Sequence, residues 1–145
     1  MIGLLQRVVQ ARVSAEGMPD AVIGAGLAVL VGIERDDDEA RAERLLERLL
    51  GYRVFNDEAG RMNQSLRAAG GGLLLIPQFT LAADTRKGTR ASFQTAASPA
   101  SAQALFRYLC ERAVEAHSPV SWGVFGADMD VTIVNQGPVT FWLQA

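Results

Sequence analysis

One histidine and one cysteine are all that this chain of 145 residues offers of the side chains that hold zinc in Cys/His sites. That excludes His-Glu-x-x-His and Cys-x-x-Cys sites and any Cys/His cluster, so no metal and no cofactor is expected. Cys110 has no internal disulfide partner. It falls on an apolar stripe and reads as a small buried hydrophobe, because a reactive thiol needs an accessible, electropositive setting. Long apolar runs are missing too. The longest candidate, Gly70 to Ile76, falls far short of the roughly 18 to 20 residues that span a bilayer as a helix. The start shows no basic stretch followed by an apolar one and a small-residue cleavage site. A cytoplasmic location is expected, with no membrane partner.

Positive charge is scarce as well. Fourteen Lys and Arg against 16 Asp and Glu give a formal charge of −2, and the pI is about 5.4. A protein that coats nucleic acid by bulk electrostatics needs many cations on phosphates. DNA is therefore not an expected partner, and an RNA substrate would have to be held locally. The one obvious place is Arg86-Lys87-Gly88-Thr89-Arg90, which otherwise reads as a solvated loop. The phosphate-cradling patterns GxxxxGK[ST] and GxGxxG are absent. Gly24-Ala25-Gly26 reads as a turn between two strands.

What is present describes one domain over residues 1–145, without repeats, low-complexity tracts or linkers. Two segments carry a helical period. Asp36 is placed to cap the first, with Glu39 as capping-box partner, and Ala42, Leu45, Leu46, Leu49 and Leu50 form its apolar stripe up to Gly51. Ser98 and Pro99 open the second, whose stripe is Ala102, Leu105, Phe106, Leu109, Cys110 and Ala113, ending near His117. Short segments rich in β-branched residues read as strands: Leu4 to Val13, Ala21 to Ile23, Leu27 to Ile33, Gly72 to Phe79, Met129 to Asn135 and Val139 to Leu143. Leu73 to Ile76 is apolar throughout, as in a strand covered on both faces. Met129, Val131 and Ile133 alternate with polar residues, which implies one buried face. The class is α+β: a largely antiparallel sheet or partly open β-barrel with two covering helices.

Chemistry is thin. His117, at a helix end, suits a capping or surface role beside the helix dipole, so no Ser-His-Asp triad is expected. The acidic run Asp36 to Glu39 opens a helix, where carboxylates stabilise the positive dipole end. Hydrolysis by this chain would have to use backbone donors, a hydroxyl such as Thr80, or a group the substrate brings. Two segments are candidates for a backbone site. In Pro77-Gln78-Phe79-Thr80-Leu81-Ala82-Ala83-Asp84 an apolar strand stops at a residue without an N–H. Asn135-Gln136-Gly137-Pro138-Val139-Thr140 lies between two strand-like runs and also reads as a simple Gly-Pro turn.

Together with Gln6-Arg7-Val8, Val54-Phe55-Asn56-Asp57, Gly60-Arg61-Met62-Asn63-Gln64-Ser65, Ala83-Asp84-Thr85-Arg86-Lys87-Gly88, Ser92-Phe93 and Gly123-Val124-Phe125-Gly126-Ala127-Asp128-Met129, these segments resemble the D-aminoacyl-tRNA deacylase family over nearly the whole chain. The resemblance implies a homodimer with its active site at the interface and the acceptor end of aminoacyl-tRNA as partner. A Gly-cis-Pro element, here Gly137-Pro138, would enter the partner's pocket, take the α-amino group on its carbonyl oxygens and leave no room for an L side chain. Glycine would be accepted with D-amino acids. The same resemblance assigns catalysis to Gln78, Phe79 and Thr80, with the N–H groups of Phe79 and Thr80 as an oxyanion hole. It assigns substrate binding to Gly137, Pro138, Ser92 and Phe93. Arg86, Lys87 and Arg90, the basic cluster, are the expected tRNA contacts.

No histidine or lysine stands near Thr80 in sequence to accept its proton. Water activated with help from the 2′-hydroxyl of the terminal adenosine is the preferred attacker, which would limit the substrate to RNA. Two positions depart from the family pattern: Pro77 where serine is common, and Gln136 where acidic residues are frequent. The alternatives are an editing hydrolase for mischarged L-aminoacyl-tRNA and a non-catalytic tRNA-binding module.

Overall fold

The computed structural model describes residues 1–145. Strand β1 (Ile2–Ser14) is the spine. It pairs antiparallel with β2 (Ala21–Ile23) and β3 (Gly26–Gly32) on one side and with β8 (Asp130–Gln144) on the other. From β3 the sheet continues in parallel through β6 (Gly72–Pro77) to β7 (Val120–Trp122). Ser121 Oγ of β7 donates to the Val22 carbonyl of β2 at 3.3 Å, so the curled sheet nearly closes on itself. The antiparallel expectation therefore holds around β1, while the β3-β6-β7 arm makes the sheet mixed. Parallel neighbours need crossovers. Helices α1 (Glu39–Gly51) and α3 (Pro99–Ala116) lie in the two connections.

The unbroken apolar run in β6 is buried on both faces, as expected. Leu73 and Leu75 join the main core, with the helix stripes named above; Leu74 and Ile76 join Val8, Ala11, Val13, Ile23 and Ala28 in a second, smaller core. Burial pushes the Cys110 thiol up to about 12, so it is an inert part of the core.

Several boundaries differ from the sequence reading. Asp36 does not cap α1; Asp38 does, accepting from Arg41 N at 2.9 Å, and Glu39 is the first helical residue instead of a capping-box partner. Asp37 is occupied by the Met1 amino group at 2.5 Å and the Glu34 N–H at 2.7 Å, contacts at the end of β1 that no local pattern announces. At α3 the expected Ser98 cap and Pro99 start are both present. A third, one-turn helix α2 (Leu66–Ala69) and a small hairpin, β4 (Phe55–Asn56) with β5 (Met62–Gln64), are too short to show a period.

The strand expected to reach Phe79 stops at Pro77. The two strands expected at Met129 to Asn135 and Val139 to Leu143 are one long strand, β8, interrupted opposite Arg7: Gln6 faces Thr140 and Val8 faces Asn135, leaving residues 136–139 outside the register. Its expected buried face is only half covered. Met129 and Ile133 are half-buried, but Val131 is 39% exposed, because β8 has a strand on one side only.

Candidate active site

Beyond Pro77 the chain makes one last sheet-like bond, Gln78 N–H to the Val31 carbonyl at 2.8 Å, and then tightens into a 3-10 turn over Phe79–Ala82. Leu81 N–H returns to the Gln78 carbonyl and Ala83 N–H to that of Thr80, each at 3.2 Å. The leading N–H groups of such a turn have no partner inside it. Those of Phe79 and Thr80 make no hydrogen bond, and both residues are exposed. Gln78 Nε2 donates to Thr80 Oγ1 at 2.6 Å, so the hydroxyl is held as an acceptor and its own proton is free for a ligand. No imidazole, ammonium or carboxylate bonds that hydroxyl. His117 is the C-cap residue of α3 through its backbone N–H, which donates to the Ala113 carbonyl at 2.9 Å, while its ring Nε2 lies 2.7 Å from the Gly71 carbonyl oxygen, away from the helix end.

The second wall returns from the basic loop. Asp84 and Ser92 exchange both backbone hydrogen bonds, at 2.8 and 3.0 Å, closing residues 85–91 into a loop with a fixed base. Thr95 Oγ1 then donates to the Ala82 carbonyl, and Arg35 N–H to the Thr95 carbonyl at 2.9 Å. This path brings the Phe93 ring to 5.1 Å from the Phe79 ring, tilted by 43°. Asp84, Arg86, Lys87, Arg90 and Ser92 line one open cleft of about 390 Å³.

The three cations there are not equivalent. Arg86 grips Asp84 with two prongs, Nε to Oδ1 at 2.9 Å and Nη2 to Oδ2 at 2.6 Å. This pairing holds the Asp84 carboxyl well below the usual carboxylate range and raises the guanidinium. Lys87 and Arg90 form no ion pair.

The Gly137-Pro138 peptide, which is cis, sits in the out-of-register stretch of β8. Asn135 closes that stretch: its Oδ1 accepts from Val139 N–H at 2.8 Å and its Nδ2 donates to Thr140 Oγ1 at 3.0 Å. Gly137 has φ +132°, backbone that L side chains rarely adopt. Arg7, at only 7% exposure, reaches it from β1. Its Nε donates to the Gln136 carbonyl at 3.1 Å, and Nη1 to the Val54 carbonyl at 2.6 Å and Asn56 Oδ1 at 3.3 Å. Read residue by residue, the sequence gives Arg7 no role; its only signal is a cation inside a strand between Leu5 and Val8. The Gly137-Pro138 stretch and the Phe79–Ala82 turn share no hydrogen bond within the chain.

A family model described as D-Tyr-tRNA(Tyr) deacylase matches residues 4–144. The chain belongs to this family. A D-aminoacyl-tRNA deacylase of Alkalilimnicola ehrlichii is 63% identical over 145 residues, spanning 100% of this chain and 97% of that protein. One from Escherichia coli is 54% identical over 144 residues, 99% of each chain. Among solved structures, one described as a c-Myc DNA unwinding element binding protein has a TM-score of 0.94 at 33% identity, covering 100% of this chain and 99% of that one. A probable eukaryotic D-amino acid tRNA deacylase shares the fold, with a TM-score of 0.86 at 18% identity over 99% and 98% of the two chains. In this deacylase-family chain Pro77 is the last residue of β6, just before the Phe79–Ala82 turn.

Proposed function

We propose that this protein hydrolyses the ester joining a D-amino acid, or glycine, to the 3′ end of tRNA, and spares L-aminoacyl-tRNA. The observation that carries the reading is the pair of unsatisfied N–H groups of Phe79 and Thr80 on an exposed turn with no acid, base or nucleophile ensemble beside it. Such donors suit an oxygen that becomes negative in the transition state; losing one donor of this kind typically raises the barrier by about 3 to 4 kcal/mol. Water, assisted by the 2′-hydroxyl of the terminal ribose, adds to the ester carbonyl carbon. The carbonyl oxygen takes the negative charge against the two N–H groups. Collapse of the intermediate breaks the bond to the 3′-oxygen, which leaves with a proton as free tRNA. Gln78 orients the Thr80 hydroxyl, Phe79, Ser92 and Phe93 flank the acyl and adenosine groups, and Lys87 and Arg90, with Arg86 more weakly, hold phosphates of the acceptor end.

Chiral selection falls to Gly137 and Pro138, whose carbonyl oxygens take the α-amino group and whose rigid backbone excludes an L side chain. In this reading they act across a homodimer in the cytoplasm. The stretch is not bonded to the turn of its own chain, and β8, which pairs only with β1, exposes Val131, Val134 and Trp142. The test is hydrolysis of D-tyrosyl-, L-tyrosyl- and glycyl-tRNA by the purified dimer. Turnover of the first and third is expected. Turnover of the L ester alone would mark an editing hydrolase, and tRNA binding without any turnover a non-catalytic module; either result overturns the proposal.

A further inference from the structure

We infer that Gly32, which touches no substrate group in the reading above, is the positioning residue that sets where the Phe79–Ala82 turn presents its two free N–H groups. The inference rests on that reading for its functional meaning, but its geometry stands apart from it. A Cβ at position 32 would lie 2.7 Å from Leu81 Cβ, 3.4 Å from Ala82 N and 3.5 Å from the Gln78 carbonyl oxygen. All three atoms belong to the turn or to the residue that opens it. A 2.7 Å approach is closer than real Cβ atoms tolerate, and Leu81 Cβ is bonded to the backbone, so rotating the leucine side chain cannot relieve it.

Backbone freedom does not explain a glycine here. Gly32 is the last residue of β3, pairs with Ile2, and has no positive φ. Its missing side chain is needed for close approach alone, which lets the turn settle over the end of the sheet. The turn is also held at both ends, by Gln78 N–H on the Val31 carbonyl and by Thr95 on the Ala82 carbonyl. A methyl group at position 32 would therefore push on a segment whose ends are tethered, and the displacement would fall on Phe79, Thr80 and Leu81. Gly24 provides the contrast: a Cβ there meets nothing within 4 Å.

The experiment compares Gly32→Ala, Leu81→Gly, the Gly32→Ala/Leu81→Gly double variant and Gly24→Ala, by steady-state and single-turnover deacylation of D-tyrosyl-tRNA and by a crystal structure of Gly32→Ala. A shift near 1 Å at a reacting group costs about 100-fold in rate, so kcat of Gly32→Ala should fall by about that factor with KM unchanged within about threefold. Gly24→Ala should match wild type. Removing the facing Cβ should abolish the penalty, so the double variant should be as fast as Leu81→Gly alone. If Gly32→Ala does not fold, that last comparison decides by itself. Wild-type kcat in Gly32→Ala, an undisplaced turn in its structure, or a double variant still slower than Leu81→Gly would overturn the inference. Wild-type protein inactive on every aminoacyl-tRNA, with a displaced turn in Gly32→Ala, would instead sink the functional reading and leave the positioning role of Gly32 intact.

Discussion

The guanidinium of Arg7 donates from Nε to the Gln136 carbonyl oxygen at 3.1 Å, so the residue before Gly137 is tied to the spine of the sheet. The same side chain holds the Val54 carbonyl and Asn56 Oδ1, and every one of these partners is neutral. Arg7 is thus a buried fork that joins the Gly-Pro stretch to the segment entering the β4-β5 hairpin. Lysine offers one point of contact where arginine offers a planar set of donors. Arg7→Lys should fold but lose about 1 to 3 kcal/mol of stability through carbonyls left unpaired. It should also narrow the ratio of kcat/KM for D- over L-tyrosyl-tRNA. Urea denaturation and the two kinetic constants check both statements; an unaltered ratio in a destabilised variant would make Arg7 purely structural.

Gly137 gives a sharper test of the same stretch. At φ +132° an added Cβ would lie 2.7 Å from Val139 Cγ2 and 3.1 Å from Val139 N. Strain of this kind amounts to about 1 to 3 kcal/mol. Gly137→Ala should remain folded, bind tRNA, and lose discrimination between the D and L esters. Retention of wild-type discrimination would remove this residue from the chiral filter.

At the turn, backbone and side-chain contributions can be separated. Phe79 is the first residue of the 3-10 turn, where proline is tolerated, and Gln78 before it, at φ −143° and ψ 82°, lies outside the α region that a following proline disfavours. Phe79→Ala removes the ring packed against Phe93 but keeps the N–H; Phe79→Pro removes both. The ratio of their single-turnover rates isolates the donor and should be about 100- to 1,000-fold. Equal rates would refute the oxyanion role of that N–H.

Thr80→Ala should retain substantial activity, because the hydroxyl lacks a base and serves as acceptor for Gln78. A fall of several orders of magnitude in a folded variant would instead make Thr80 Oγ1 the nucleophile.

The basic loop should respond unequally to neutralisation. Lys87→Ala/Arg90→Ala should raise KM for tRNA and reduce the slope of log KM against log salt by about 1.4, two charges at roughly 0.7 each on a single strand. Arg86→Ala should do less, since that guanidinium already faces Asp84. Asp84 has its folded pKa depressed by Arg86, so the pairing is complete at and above ordinary carboxylate pKa values and is lost only as the pH falls into strong acid. The Arg86→Ala effect should therefore be constant across neutral pH, which KM measured as a function of pH will show.

Local pattern by itself determined the two long helices, the apolar stripes they bury, the doubly covered β6 and the single-domain α+β class. Each depends on a periodicity, a cap or an unbroken apolar run within a dozen or so neighbouring residues. For the chemistry it went less far: with one histidine, placed at a helix end, and one cysteine, placed on a stripe, it left the segments Pro77 to Asp84 and Asn135 to Thr140 as candidates for a backbone site, and only the family resemblance attached roles to them. Tertiary structure decided the rest, because the deciding contacts lie far apart in the chain. Asp37 meets the Met1 amino group, which leaves Asp38 to cap α1. The parallel β3-β6-β7 arm depends on how helices cross over, information no strand carries. Arg7 acquires its role from carbonyls 47 and 129 residues away. Gly32 is silent in sequence for the same reason: what it makes room for is a turn that folds back over it from nearly fifty residues on, and only the packed chain brings the two together.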